Sequence, residues 1–456
     1  MRHLVQVNVR GLLGRFNHEL AFPEEWEFVI VHGPNGVGKT KFLELVDAVG
    51  NDQLHRLTRL PFETAEFQFS DQSTIKIVWS DLMGPSLPIE EVEPPERHLV
   101  VELTQPSGAF QFQVDRSVTA IEHIRPARLR LLEQELPLDR MEQDLWYDQS
   151  RDDYLTLQEI VYRYSNSDAV AALGIVGSPP EFKTFLEDFK VHLIETQRLI
   201  RVSPISQRGT PRRTEPSTVL RYARDLTEKL SAALADNSQT SQQLDRTFPK
   251  RLLDEDPSEG ITDEQIRDRY RAQSELREEL AEISVLEALA EDISLPDRDL
   301  QGWERRVLWT YLEDAEEKLA TFRGLLERVQ LLRRIVNSRF LFQNLIIDRE
   351  LGFRFVTENG EVIGADSLSS GEQHELVLVY DLLFNVSPET TVLVDEPELS
   401  LHVSWQQQFL DDMVEISRLA SLRFIVATHS PQIIHTWSDR MVPLGEPGLK
   451  AGPSDA

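Results

Sequence analysis

The chain has 456 residues, 40% of them hydrophobic and 27% charged, the balance of a soluble globular protein and more chain than one core holds. Its 48 basic against 77 acidic residues give a net charge of −29, which argues against a protein that coats nucleic acid, because such a surface repels phosphate at long range. With no cysteine, disulfides, thiolate zinc sites and cysteine nucleophiles are excluded.

No apolar run approaches the length of a membrane span, and MRHLVQVNV is unlike a signal peptide, so a cytoplasmic location is the expectation. Val5, Val7 and Val9 alternate with polar residues, and Phe16, His18, Leu20 and Phe22 do the same, which predicts an antiparallel pair. Arg10, Arg15 or Phe16 could flank a nucleotide base, although an apolar strand residue is more often core. The apolar run Phe28–Val31 then leads into Gly33-Pro34-Asn35-Gly36-Val37-Gly38-Lys39-Thr40, a full G-x-x-x-x-G-K-[ST] match followed by a plausible helix. Backbone N–H groups from Gly33, Asn35, Gly36 and Gly38 can turn inward around phosphate oxygens, and the helix N-terminus adds its positive dipole end. In that motif Lys39 reaches the β- and γ-phosphates of ATP and the Thr40 hydroxyl ligates Mg2+.

Two hairpins follow, one turning at Asp71–Ser73 and one at Pro106-Ser107-Gly108, and predict an antiparallel β subdomain. Ile121 to Phe189 is mixed and reads as helical. Val191 to Val202 reads as a return to the main sheet, with Gln197 and Arg198 at its end; Gln197 could sense magnesium or the γ-phosphate, or be an ordinary solvent-facing residue. Pro204 to Pro216 is a linker, and the charged helical stretch beyond it reaches Phe342. Thr262 and Gln265 fit a capping box, apolar residues continue to Leu286, and Ser294-Leu295-Pro296 breaks the pattern before a second helix from Trp303 to Val336. Basic clusters at Arg125–Arg130, Arg208–Arg213 and Arg333–Arg339 read first as solvated faces, with a DNA contact as the alternative.

Phe353, Phe355, Asn359-Gly360 and Val362 predict a tight hairpin. The polar turn Leu368-Ser369-Ser370-Gly371 opens a helix carrying Leu376, Val379, Leu382 and Leu383. Thr391–Val394 is a short buried strand that ends in Asp395 and Glu396, where one acid can hold Mg2+ and the other can orient or deprotonate a water. After His402 one helix is expected through Trp405, Phe409, Met413 and Ile416, then the strand Leu422–Ala427, then Thr428-His429-Ser430-Pro431, with His429 placed to sense a γ-phosphate.

Taken in order, GPNGVGKT, LSSGEQ, VLVDEPELSLH and ATHS resemble the head of an ABC-type ATPase of the SMC/RecF/overcoming-lysogenization-defect branch, and among these the bacterial AAA family ATP-binding proteins of phage-defence operons such as the ATPase subunit of Septu systems. The likeness covers roughly residues 1–60 and 345–435. It implies an α/β P-loop NTPase: an ABC-type head with a mixed sheet flanked by helices, an antiparallel β subdomain and an inserted α-helical arm. The expected segments are 1–203 and 345–456 for the head and 204–344 for the arm. It also implies head-to-head homodimers that sandwich two ATP molecules, with Lys39 and Thr40 of one subunit facing Ser369, Ser370 and Gly371 of the other. Asp395 then supports Mg2+, Glu396 is the general base, His429 senses the γ-phosphate, and Pro397-Glu398 with Ser400-Leu401-His402 forms a dimer-contact loop.

No CxxC zinc hook is present, and no nuclease module is read after His429. The acid–lysine clusters Glu187-Asp188-x-Lys190 and Glu316-Glu317-Lys318 fall in helical patterns and are poor nuclease candidates. The expected function is a nucleotide-gated sensor or clamp that controls a separately encoded effector, a nuclease by preference, in defence against phage. A RecF-like ATPase for DNA repair or DNA ends is the alternative.

Overall fold

The computed structural model describes residues 2–81, 97–114, 126–142, 145–148, 153–157, 160, 163–164, 178–195, 218–254, 260–286, 295–364, 367–399 and 401–444. Two compact units emerge. The first comprises Met1–Thr196, Pro388–Leu399 and Gln406–Ala456, and the second Gln197–Ser387 with Ser400–Trp405.

In the first unit β1 (Leu4–Leu12) and β2 (Phe16–Ala21) pair antiparallel, with Val7, Val9 and Leu20 fully buried, as their alternation requires. Next come β3 (Phe28–His32), α1 (Lys39–Gly50), β4 (Thr64–Phe69), β5 (Thr74–Asp81), β6 (Arg97–Gln105) and β7 (Gly108–Val114). Six of these strands form one antiparallel sheet in the order β2-β1-β4-β5-β6-β7, so both hairpins read from the sequence are present.

Among its described residues, the stretch read as mixed and helical has a helix near each end and strands between them. After α2 (Pro126–Glu135), strands β8 (Leu138–Glu142), β9 (Leu145–Asp148) and β10 (Asp153–Leu155) make a three-stranded antiparallel sheet. These strands are three to five residues long and mix charged with apolar residues, so hydrophobic period had little to register. Pairing with neighbours decides such segments, and Trp146 sits fully buried in their small core.

After α3 (Pro180–Glu187) the chain enters β11 (Lys190–Glu195). The second unit then begins with α4 (Thr218–Asp254), α5 (Asp263–Glu282) and α6 (Gly302–Arg339). Thr262 caps α5 through the expected box with Gln265, but α5 stops at Glu282, before Leu286, which was read among its apolar residues. Both α4 and α5 pack on α6, whose inward residues include Leu319, Phe322, Val329 and Leu332. Strands β12 (Gln343–Asp348), β13 (Gly352–Thr357) and β14 (Val362–Ile363) form the predicted Asn359-Gly360 hairpin with one more strand beside it. Gly352 has φ +76°, and a Cβ there would overlap the Ala223 carbonyl of α4, so only glycine allows the sheet so close to the helix.

The unit closes with α7 (Ser370–Phe384). Tyr380 of α7 stacks on Tyr222 of α4 at 4.7 Å; its hydroxyl donates to Asp225 at 2.6 Å, and that of Tyr222 donates to Asp381 at 2.9 Å. Arg339 and Glu375 form an ion pair buried between α6 and α7, and burial holds the Arg339 pKa down at about 10.

Back in the first unit, β15 (Thr390–Asp395), α8 (Phe409–Ala420), β16 (Arg423–Ala427) and β17 (Met441–Pro443) complete the core. The single helix expected after His402 is two, Val403–Gln406 and α8. The sheet order is β11-β15-β16-β3-β17, with all neighbours parallel, and α1 lies on it. The antiparallel strands thus gather in sheets of their own rather than mixing into the central one. Val392–Val394 and Phe424–Ala427 are fully buried, the near-continuous apolar runs of a sheet covered on both faces.

Candidate active site

Parallel pairing sets Val31, Ala427 and Asp395 side by side as Cα partners at the C-terminal ends of β3, β16 and β15. Each strand is followed by a polar loop, so three loops distant in sequence open onto one place.

The loop after β3 is Gly33–Thr40 of the phosphate-loop motif. Gly36 and Gly38 adopt φ +83° and +91°, and a Cβ at Gly38 would press on Leu12 and Leu13 at 3.2 and 3.3 Å. Helix α1 starts within the motif, at Lys39, and has no acidic residue in its first turn. From below, buried His18 braces the loop, its Nε2–H donating to the Val37 carbonyl at 2.8 Å. Burial lowers the pKa of His18, which keeps the ring neutral, and Phe42 meets it edge-on.

Lys39 is buried, and its ammonium donates to the Gly33 carbonyl at 3.0 Å and to Nε2 of His429. Burial lowers the Lys39 pKa, and the nearby carboxylates Glu396, Asp395 and Glu398 oppose that shift. His429 is also held below its usual pKa, first by desolvation and then by the Lys39 charge, so its imidazole is neutral and accepts from the ammonium. Asp395 is pushed up to about 6 by burial, against a hydrogen bond from the Thr40 side chain, while the charge of Glu396 adds to the rise. Glu396 has φ +47°, uncommon for a residue with a side chain, and its N–H donates to the Ala427 carbonyl at 2.8 Å. The chain leaves β15 through a sharp bend that this bond fixes.

The structure therefore brings Lys39, Thr40, Asp395, Glu396 and His429 together around the glycine loop. Gln197 lies outside the described residues. Ser369, Ser370 and Gly371 belong to the second unit, where Ser369 caps α7. The Glu372 N–H reaches its hydroxyl at 3.4 Å and the Glu372 carboxylate takes the Ser369 N–H at 2.8 Å. Both serines are exposed, and a Cβ on Gly371 would meet nothing within 4 Å. Arg15 lies over Phe16, its guanidinium 4.5 Å from the ring centre.

Sequence reasoning missed the groups that hold the loops. Glu398, assigned to a dimer-contact loop, takes the Thr428 hydroxyl and the His429 N–H, each at 2.8 Å. His18 showed only as an alternating strand residue. The one available signal for Glu398 was a third acid within four residues of Asp395.

The other candidates fare differently. Arg333 is paired with Glu282 at 2.7 Å and Arg339 is buried on Glu375, so that cluster offers no open basic groove. Residues 208–213 and Arg125 lie outside the described residues. Lys318 pairs with Asp245, while Glu187 ends α3 and Lys190 opens β11. Among the described residues no three His, Asp or Glu side chains converge on a metal position. No described helix is long and apolar enough to cross a membrane.

Residues 196–435, more than half of the chain, match the family described as "AAA domain, putative AbiEii toxin, Type IV TA system". The "Retron Ec83 probable ATPase" of Escherichia coli is 32% identical over 120 residues, which are 24% of this chain and 22% of that protein. The "Retron Vc95 probable ATPase" of Vibrio cholerae serotype O1 biovar El Tor is 32% identical over 98 residues, 19% of each. The chain thus matches about a fifth of the length of these curated relatives. Among solved structures, the Smc head domain with an extended coiled coil bound to the C-terminal domain of ScpA from Pyrococcus furiosus is 14% identical. Its TM-score is 0.34, with 98% of this chain and 94% of that one covered. The SMC head domain from Thermotoga maritima is 10% identical with a TM-score of 0.29, covering 95% and 91%.

Proposed function

The chain belongs to this AAA-domain family, and on that premise we propose that it is an ATP-binding and ATP-hydrolysing enzyme of the ABC and SMC type. It works as a homodimer, a nucleotide-gated sensor or clamp that controls a separately encoded effector, a nuclease in this reading, in bacterial defence against phage. The observation that carries the ATPase reading is the meeting of Lys39, the Thr40–Asp395 pair, Glu396 and His429 at three adjacent strand ends. Two relatives named as ATPases of retrons agree with it, and the link to defence rests on the motif order LSSGEQ, VLVDEPELSLH and ATHS.

The residues divide the work. The Lys39 ammonium, now spent on the Gly33 carbonyl and His429, moves onto the β- and γ-phosphates and gains more there, because it is already desolvated. Thr40 and Asp395 fit Mg2+, since two hard oxygen donors are already in contact at the base of the loop. Held there, Mg2+ would supply positive charge to offset the charge developing on the phosphate oxygens. Glu396 accepts a proton from the water whose oxygen bonds the γ-phosphorus as the bond to ADP breaks. His429, released from Lys39, donates to a γ-phosphate oxygen, and the α7 N-terminus of the partner subunit, at Ser369, Ser370 and Gly371, supplies the last donors.

ATP turnover and nucleotide binding by the purified full chain test this. Lys39→Ala is expected to lose binding. Glu396→Gln should bind ATP yet turn over roughly 10²–10⁴-fold more slowly, the usual worth of a general base. Wild-type protein without turnover, or Glu396→Gln at full speed, sinks the reading. Stimulation of turnover by DNA ends would favour the repair alternative.

A further inference from the structure

We infer that Glu398 is a positioning residue for ATP hydrolysis, a latch whose carboxylate ties the loop after β15 to the loop after β16 and so sets His429 against Lys39. The inference rests on the ATPase reading and assigns Glu398 a place within one protomer, whereas the motif alone puts it in the dimer contact.

Both carboxylate oxygens are committed. Oε2 takes the hydroxyl of fully buried Thr428, and Oε1 takes the backbone N–H of His429, each at 2.8 Å. Thr428 Oγ1 in turn accepts the Ser430 N–H at 3.0 Å, which closes a tight turn around His429. On the other side Gln406, itself buried, donates to the Glu398 carbonyl at 3.3 Å and accepts the Ser430 hydroxyl at 2.7 Å. Three consecutive residues, Thr428, His429 and Ser430, are thereby tied to Glu398 or through Gln406 to its backbone. Only the imidazole of His429 is left facing Lys39.

The chemistry explains why an acid stands there. A peptide N–H and a hydroxyl, both donating, need two acceptors side by side, and among side chains an ionised carboxylate presents them without a competing donor. Its charge lies beside the Lys39 ammonium as well, one of three carboxylates that favour the protonated lysine. An alanine at 398 leaves the His429 N–H and the buried Thr428 hydroxyl without their acceptor, and the loop carrying the imidazole is free to shift. Misplacement of a reacting group by about 1 Å costs roughly 100-fold in rate.

The test compares kcat and KM for ATP in wild type, Glu398→Ala, Glu398→Gln, His429→Ala and the double variant Glu398→Ala with His429→Ala. For Glu398→Ala, kcat is expected to fall by roughly 100-fold with KM changed less than about threefold. The double variant should be no slower than His429→Ala, because the carboxylate acts through the histidine. Glu398→Gln keeps one acceptor for the His429 N–H and can donate to Thr428 Oγ1, so it should recover most of the rate. Thr428→Val, which removes one bond and keeps the volume, should lie between Glu398→Ala and wild type, and serves if Glu398→Ala fails to fold. Multiplicative losses in the double variant, Glu398→Ala at wild-type speed beside an impaired His429→Ala, or Glu398→Gln as slow as Glu398→Ala would each overturn the latch alone. Absence of wild-type turnover overturns the ATPase reading and the latch with it.

Discussion

The Lys39 pocket and the Ser369 turn are built by opposite strategies. Around Lys39 the loops are held by partners within the same unit: Gly33 and His429 for the ammonium, Thr40 for Asp395, and Glu398 for Thr428 and His429. Those partners are borrowed. In the proposed reading, Lys39 and His429 exchange an internal hydrogen bond for better ones when phosphate arrives. At Ser369 the helix N-terminus is satisfied by its own capping box, and Ser370 and Gly371 face open space. The first region is a receptor in waiting and the second an exposed, self-capped helix start, the arrangement that the proposed site shared between two copies calls for.

The sharpest way to break this contrast is to attack the support of the donor. Arg339 and Glu375 are both almost wholly buried, and Glu375 sits one turn into α7 from Ser370. Glu375→Ala strands a buried guanidinium and should cost about 3–5 kcal/mol. Calorimetry is expected to show one transition moved to lower temperature, with ATP affinity at the Lys39 pocket held. A parallel loss of affinity would mean that the two regions are not separately built.

A mixing experiment asks whether the donor works across subunits. Ser370→Arg should lower turnover roughly 100-fold, as loss of a preorganised donor does, and Lys39→Ala should abolish it. Mixed in equal parts, the two inactive proteins form heterodimers in half of the pairs, each with one intact composite site, so about a quarter of wild-type turnover should return. No recovery, where both proteins dimerise, would end the shared-site reading.

What the sequence made legible follows the same division. Lys39, Thr40, Asp395, Glu396 and His429 sit in short contiguous motifs with strand-and-turn context, and the parallel strands around them are apolar enough to read directly. Groups whose meaning depends on a distant partner were silent. Glu398 looks like any loop acid until β15 and β16 pair, and Arg339 like any surface arginine until α7 packs on α6. Nothing local in β12, β13 or α7 announces that they pack with the long helices, which Ala223, Tyr222 and Asn337 decide by contact.

Acidity separates the regions further, because the Lys39 pocket holds a carboxylate with a raised pKa. Asp395 ionises at about 6, so below that pH it is neutral and a poor partner for a cation. Affinity for MgATP should fall as pH drops through about 6, approaching tenfold per pH unit, with one proton released on binding. Stability runs the other way. A carboxyl whose pKa is raised by folding favours the nucleotide-free fold at low pH and ceases to do so as pH rises to about 6. Asp395→Asn should remove both dependences. Titration calorimetry in two buffers of different ionisation enthalpy reads the proton directly, and release that persists in Asp395→Asn would assign it elsewhere.

The smallest effect discriminates most finely between a cap and a contact. Ser369→Ala removes the hydroxyl that accepts the Glu372 N–H and donates to its carboxylate at 2.7 Å, which should cost about 1 kcal/mol of stability. Ser369→Gly should cost only a few tenths, since an N-cap glycine leaves the backbone donors open to water. If Ser369 only caps α7, turnover in the two variants should rank with their melting temperatures. If its hydroxyl also meets phosphate across the dimer, both lose the same donor, and turnover falls equally in the two while stability does not. Comparing the ratio of turnover to melting temperature in this pair therefore reports on the one group whose role within its own chain is already complete.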